Sequence, residues 1–125
     1  MVKKVLGEMK MENKRSEILP VGTVVYLNLT LKKVMIIGRK MIREIEGEKF
    51  YFDYVACLYP EGMIGAESVF INNEDIQEVC HMGYEDDDNA ILTQRIAGWE
   101  KNPGIAKGYR EVLMNKNSKK EKSEI

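Results

Sequence analysis

Histidine is almost absent from this chain: His81 is the only one. A general base needs a partner to orient it and a group to activate, and no motif around His81 supplies either. Cysteine is nearly as scarce. Cys57 and Cys80 belong to no CxxC pair, so neither a zinc knuckle nor a dithiol redox motif is present. Both are expected as reduced, buried thiols, with a disulfide between neighbouring strands as the alternative. No GxxxxGK[ST] phosphate loop occurs. No apolar run approaches the roughly 18 residues of a membrane span. Residues 1–11 carry Lys3, Lys4, Glu8 and Lys10, which leaves no apolar h-region and sets the expected location as the cytoplasm. Charge of one sign is missing too. The net charge is -1, so no overall field selects for nucleic acid or an anionic membrane.

What is there is an ordinary globular composition, 44% hydrophobic and 31% charged over 125 residues. That length suits one domain with a real core. The organising stretch is Lys32 to Gly62, read as two long strands joined by a tight turn. Val34-Met35-Ile36-Ile37 is a continuous apolar run of the kind covered on both faces. The second arm alternates: Phe50, Phe52, Tyr54, Ala56 and Leu58 share one face, and Tyr51, Asp53, Val55, Cys57 and Tyr59 the other. Glu46-Gly47-Glu48 supplies the turn, and Pro60 and Gly62 end the second arm near Tyr59.

Further strands are predicted at residues 23–29, 68–72 and 78–84, with Asn73-Glu74-Asp75 as a turn and Ile76 plugging the core. Glu85 to Asp88 precedes a helix over residues 89–101. Carboxylates there cap free N–H groups and oppose the positive end of the helix dipole. Ile91, Leu92, Ile96 and Trp99 form its apolar stripe, and Asn102-Pro103-Gly104 stops it. A metal reading of Asp86-Asp87-Asp88-Asn89 fails on the missing glycine and distal glutamate of a calcium loop. No cofactor or metal is expected. Val2, Val5, Leu6 and Met9 recur at helical spacing. Residues 1–18 are therefore read as a leader with a short amphipathic helix, 19–114 as a single domain with a last helical turn at Tyr109 to Met114, and 115–125 as a disordered charged tail.

Strands first and helix last predict an α+β fold. The expected architecture is an antiparallel, strongly curved sheet of about five strands, which could curl into a small partly open barrel, with a C-terminal helix. Basic Lys32, Lys33, Arg39, Lys40 and Arg43 beside aromatic Phe50, Tyr51, Phe52 and Tyr54 imitate a single-strand nucleic-acid face. Glu44, Glu46, Glu48 and Asp53 dilute that field, and a solvated strand face is expected instead.

The blocks LPVGTVV, KKVMIIGR, FDYVACLYPEG and FINNEDIQEVCHMGY, in this order and spacing, resemble the domain-of-unknown-function family 4176. The resemblance covers about Leu19 to Trp99. It carries over no catalytic residues. It implies a companion of LXG-type toxins and type VII secretion components of Gram-positive bacteria. The expected function is therefore a non-enzymatic adaptor or chaperone with a protein partner, no nucleic acid and no membrane insertion. An immunity protein that blocks the toxin is the alternative, and a small hydrolase using His81 a third reading. Arg39, Tyr54, Tyr59, Pro60 and Glu61 are the candidate protein-binding residues, because Tyr and Arg anchor interfaces and loops carry function. An open sheet edge offers a second route, to a partner or to a homodimer.

Overall fold

The computed structural model describes residues 18–28, 30, 32–65 and 68–109. The proposed leader helix and charged tail lie outside these residues, as does the turn after Tyr109. The strands are β1 (Val24–Leu27), β2 (Lys33–Ile45), β3 (Glu48–Tyr59), β4 (Val69–Ile71) and β5 (Ile76–His81). Helix α1 (Asp87–Glu100) follows, and then a two-residue strand, β6 (Ala106–Lys107). The sheet runs β4-β3-β2-β1-β5, and β6 pairs with β3.

Three expectations are corrected here. The sheet is not closed, because its end strands β4 and β5 do not pair with each other. The helix is not the last element: after Pro103 and Gly104 the chain returns to place Ala106 and Lys107 against Phe50 and Tyr51. That pairing is parallel, within an otherwise antiparallel sheet. The two cysteines are free thiols, Cys57 buried and Cys80 exposed. Strands β2 and β1 lie between the strands that carry them, so they are not neighbours.

The central hairpin forms as its turn chemistry requires. Glu46 and Gly47 both take positive φ, 52° and 85°, in a two-residue turn that matches the twist of the arms. The arms pair from Ile45↔Glu48 to Lys33↔Tyr59, with one irregularity between Ile36 and Gly38. Burial of the arms reverses the expectation. Val34 and Ile36 are buried while Met35 and Ile37 are only partly so, which makes this half of β2 a one-sided strand. In β3 every residue from 51 to 57 is buried. Alternation fails there because β3 is covered from both directions. Tyr54 and Ala56 join Ile18, Leu19, Val25, Ile36 and Ile71 in the main core. Tyr51 meets the edge of Trp99 from α1, and Phe52 meets Phe70 from β4.

Burying β3 encloses a charge. Asp53 is 2% exposed. Its Oδ1 takes the Lys40 ammonium at 2.5 Å, and Oδ2 accepts from the Asn73 backbone N–H at 2.9 Å. Lys107 of β6 stands 3.5 Å from Oδ2 and also reaches Glu74 at 3.3 Å. Lys40 further pairs with Glu100 at the end of α1, at 2.9 Å. The Lys40 backbone sits at φ 50°, a left-handed strand position that costs about 1–3 kcal/mol for a side-chain-bearing residue. Asn72, also buried, accepts from the Asp53 N–H and donates to the Gly108 carbonyl. Gly108 has to be glycine: a Cβ there would fall 2.4 Å from the Phe52 ring.

Replacing Asp53 by alanine leaves the Lys40 ammonium buried without its main partner. A loss of about 3–5 kcal/mol in urea denaturation is expected. Alkaline pH acts on the same region. Burial raises the Tyr51 phenol above its ordinary 10.0. At Lys107 burial alone would lower the ammonium, but Asp53 and Glu74 outweigh it and hold the group above 10.5. Both groups keep their protons longer in the folded state, so the unfolded chain releases them first and stability falls as pH rises past these values. The urea midpoint should drop on moving from about pH 9 to about pH 11, and drop less in a Tyr51→Phe, Lys107→Met double variant.

Candidate functional site

The residues named from sequence as an exposed recognition surface do not form one surface. Tyr54 is fully buried. Its hydroxyl accepts from the Leu19 backbone N–H at 2.9 Å and donates to Asn73 Oδ1 at 2.5 Å, which ties the entering chain to the turn after β4. Tyr54 is a core pin and offers no surface to a partner. Tyr59, Pro60 and Glu61 are exposed at the far end of β3, where Tyr59 stands opposite Lys33 and Arg39 opposite Tyr54. The Tyr59–Pro60 bond is cis. Lys33 lies over the rings of Tyr26 and Tyr59, and Lys32 bonds Glu61 at 2.7 Å, which holds the Glu61 carboxyl below its ordinary range. Exposed pairs of this kind add little to stability.

His81 is exposed on β5, opposite Val24 of β1. The Cys80 thiol beside it is exposed as a residue, but partial loss of water around it and the nearby Glu78 carboxylate push it up, away from thiolate character. Among the described residues no group of His, Cys, Asp and Glu could hold a metal ion. The acidic run at the start of α1 does capping work: Asp86 is the N-cap and accepts from the Asn89 N–H at 3.0 Å.

Arg39 is the sequence candidate that leads to a site. It lines an open groove of about 510 Å³ together with Val21, Gly38, Lys40 and Ile42 on one side and Leu92, Arg95, Ile96 and Trp99 of α1 on the other. The walls are mainly apolar and the cations are arginines and Lys40. Burial lowers the Arg39 guanidinium, with Tyr54 and Glu85 pulling it back up. Its Nη1 is buried and has no hydrogen-bond partner among the described residues. Lys40 differs, being committed to Asp53 and Glu100.

The helix wall is unfinished. No residue of α1 is buried. Of the predicted stripe, Ile96 and Trp99 are partly covered, but Ile91 is 52% and Leu92 45% exposed. Across the groove Ile42 is 52% and Val21 49% exposed. A surface helix ordinarily turns its apolar stripe to the core. Here only its C-terminal half reaches β3, through Trp99 and Tyr51. Sequence reasoning found the stripe as the apolar side of the helix. It missed Ile42 and Arg95 because each looks like one exposed residue on a polar face.

The β2 strand adds an open edge to this groove. β1 pairs with β2 only at Lys33, Val34 and Met35. Beyond that point the chain leaves through the Gly22–Ile36 and Ile36–Thr23 backbone bonds. No strand among the described residues pairs with that side of residues 39–45. The two-residue turn makes Ile45↔Glu48 a hydrogen-bonded pair, and the alternation of an antiparallel ladder then points the N–H and C=O of Ile42 and Glu44 outward.

The blocks that carry the family resemblance lend Val21, Gly38 and Arg39 to the groove and otherwise bond to one another. Leu19 meets Tyr54, whose hydroxyl reaches Asn73. Thr23 Oγ1 donates to the Pro20 carbonyl and accepts from Gly83, whose missing Cβ would fall 2.2 Å from the Val21 carbonyl oxygen. The work of those bonds is structural. Because the groove residues contribute little burial, Leu92→Ser and Ile42→Thr should each move folding stability by no more than about 0.5 kcal/mol, while Trp99→Ala costs at least ~1 kcal/mol in urea denaturation.

Among the described residues no helix is long and apolar enough to cross a membrane. No curated protein and no solved structure matches the chain. Residues 18–92, which take in the whole antiparallel sheet and the start of α1, match the family Domain of unknown function (DUF4176), and the chain belongs to that family.

Proposed function

We propose that this protein is a non-enzymatic accessory factor, an adaptor or chaperone that binds a type VII secreted LXG-type toxin in the cytoplasm before export. One observation supports a binding role above the others: α1 has no buried residue and holds exposed Ile91 and Leu92 beside an open apolar groove. Apolar side chains gathered at a groove are what a partner covers, whereas the same residues scattered singly would carry no meaning. The toxin as the partner comes from the family resemblance alone. Arg39 anchors the surface, and Arg is favoured at the centre of interfaces. Tyr59, Pro60 and Glu61 form a separate exposed corner some distance along the same hairpin.

The test is co-expression with the toxin encoded beside the gene. An adaptor co-purifies with the toxin's export region and raises the amount secreted, and Leu92→Arg lowers both by about tenfold without unfolding the protein. Capture of the toxic domain with rescue of growth would replace this reading by the immunity role. Absence of any complex would remove both.

A further inference from the structure

Resting on that binding role, we infer that the groove between β2 and α1 takes an extended, acidic-apolar segment of the partner polypeptide, added as a strand to the open side of β2. The backbone argues for an extended occupant. The outward N–H and C=O groups of Ile42 and Glu44 have no strand partner among the described residues. A strand laid beside them completes the ladder, and a docked helix does not. The side chains argue for the chemistry. Ile42 and Leu92 face the groove from opposite walls, and Val21, Ile96 and Trp99 extend the apolar lining. Alternate side chains of an added strand point the same way and would fill this space with valine-sized groups.

The charges choose the sign. Arg39 and Arg95 line the groove, and Arg39 Nη1 lacks a hydrogen-bond partner among the described residues. A carboxylate from the occupant pairs with the exposed Arg95 guanidinium as a charge-assisted bond, and Arg39, whose Nη1 is buried, adds positive charge behind it. Glu85 partly offsets the Arg39 charge, which leaves Arg95 as the cation open to the occupant's carboxylate. Glu44 marks the opposite end of the open edge, which places the acidic residue at the Arg39–Arg95 end. The chain's own ends suit this poorly. Residues 1–17 carry five basic and three acidic side chains, and residues 110–125 carry five and three. A second copy pairing edge to edge about Ile42 would set Lys40 opposite Glu44, but Lys40 is 8% exposed and bound to Asp53.

The experiment is a titration of the full-length, isotope-labelled protein with two short synthetic peptides. One alternates valine with glutamate and the other valine with lysine, and backbone amide signals are followed. The glutamate peptide should shift Ile42, Glu44 and the Trp99 indole. The lysine peptide should bind about tenfold more weakly. Ile42→Pro should abolish the response by blocking the ladder. Arg95→Glu, at an exposed helix position that folding does not need, should reverse the peptide preference. Equal response to both peptides, no response to either, or an unchanged response in both variants overturns the inference. A Val5→Asp, Leu6→Asp variant that shifts the groove amides without peptide hands the groove to the leader and also overturns it. So does concentration-dependent dimerisation lost in Ile42→Pro. If both groove variants still capture the toxin, the accessory role stands and this groove is not its site. Peptide binding without toxin capture leaves the groove standing and removes the toxin as partner.

Discussion

The carboxylate of Asp53 is the constraint on which the rest of the structure depends. It sits in the middle of the most deeply buried strand, where an unpaired charge would be driven out or neutralised. It stays because distant parts of the chain bring it donors. Lys40 comes from β2, Lys107 from β6, and the Asn73 N–H from the turn after β4. Glu100 then holds Lys40 from the end of α1. A buried ion pair is weak evidence of stability against an apolar replacement. It does tie the arrangement together, because β2, β6, the turn after β4 and the end of α1 all meet at this one group or its partner. The one-sided docking of α1 follows from this. The helix is held at its C-terminal end by Glu100 and Trp99, with Ile96 against the core, while Ile91 and Leu92 stay exposed.

Much of the frame was legible in the sequence because local chemistry decides it. Gly47 announced the hairpin turn, Asp86 the helix cap, and Asn73 to Asp75 the turn between β4 and β5, which forms as a short 3₁₀ turn. The strands fall close to their predicted places. What could not be read depends on which surfaces meet. The run Val34 to Ile37 looks like a doubly covered strand, yet β3 is the covered one. Its polar Asp53 and Tyr54 disguise that, and their partners Lys40, Leu19 and Asn73 are far off in sequence. The return of Ala106 and Lys107 to β3 was illegible because two residues carry no periodicity.

The candidate site was legible at Arg39 and hidden elsewhere. Leu92 was recognised as apolar, but a stripe of four residues on a short helix gives no sign that half of it will stay uncovered. Tyr54 carried the opposite error: an aromatic with a hydroxyl reads as an interface anchor, and here the hydroxyl is spent between Leu19 and Asn73. The four family blocks surround such internal bonds. Ile42, Leu92 and Arg95 lie outside them, while Val21, Gly38 and Arg39 lie inside, so the blocks supply the frame and one part of the groove's lining.

The short strand after the helix has a consequence for where the folding unit ends. The family match stops at residue 92, midway through α1, yet Trp99, Glu100, Lys107 and Gly108 all act on β2, β3 and the residues around them. A fragment cut at the family boundary would keep every antiparallel ladder and the Lys40–Asp53 pair, but it would lose Lys107 from that pair, Glu100 from Lys40 and Gly108 from Asn72. In this chain the cooperative unit is longer than the signature by which it is recognised.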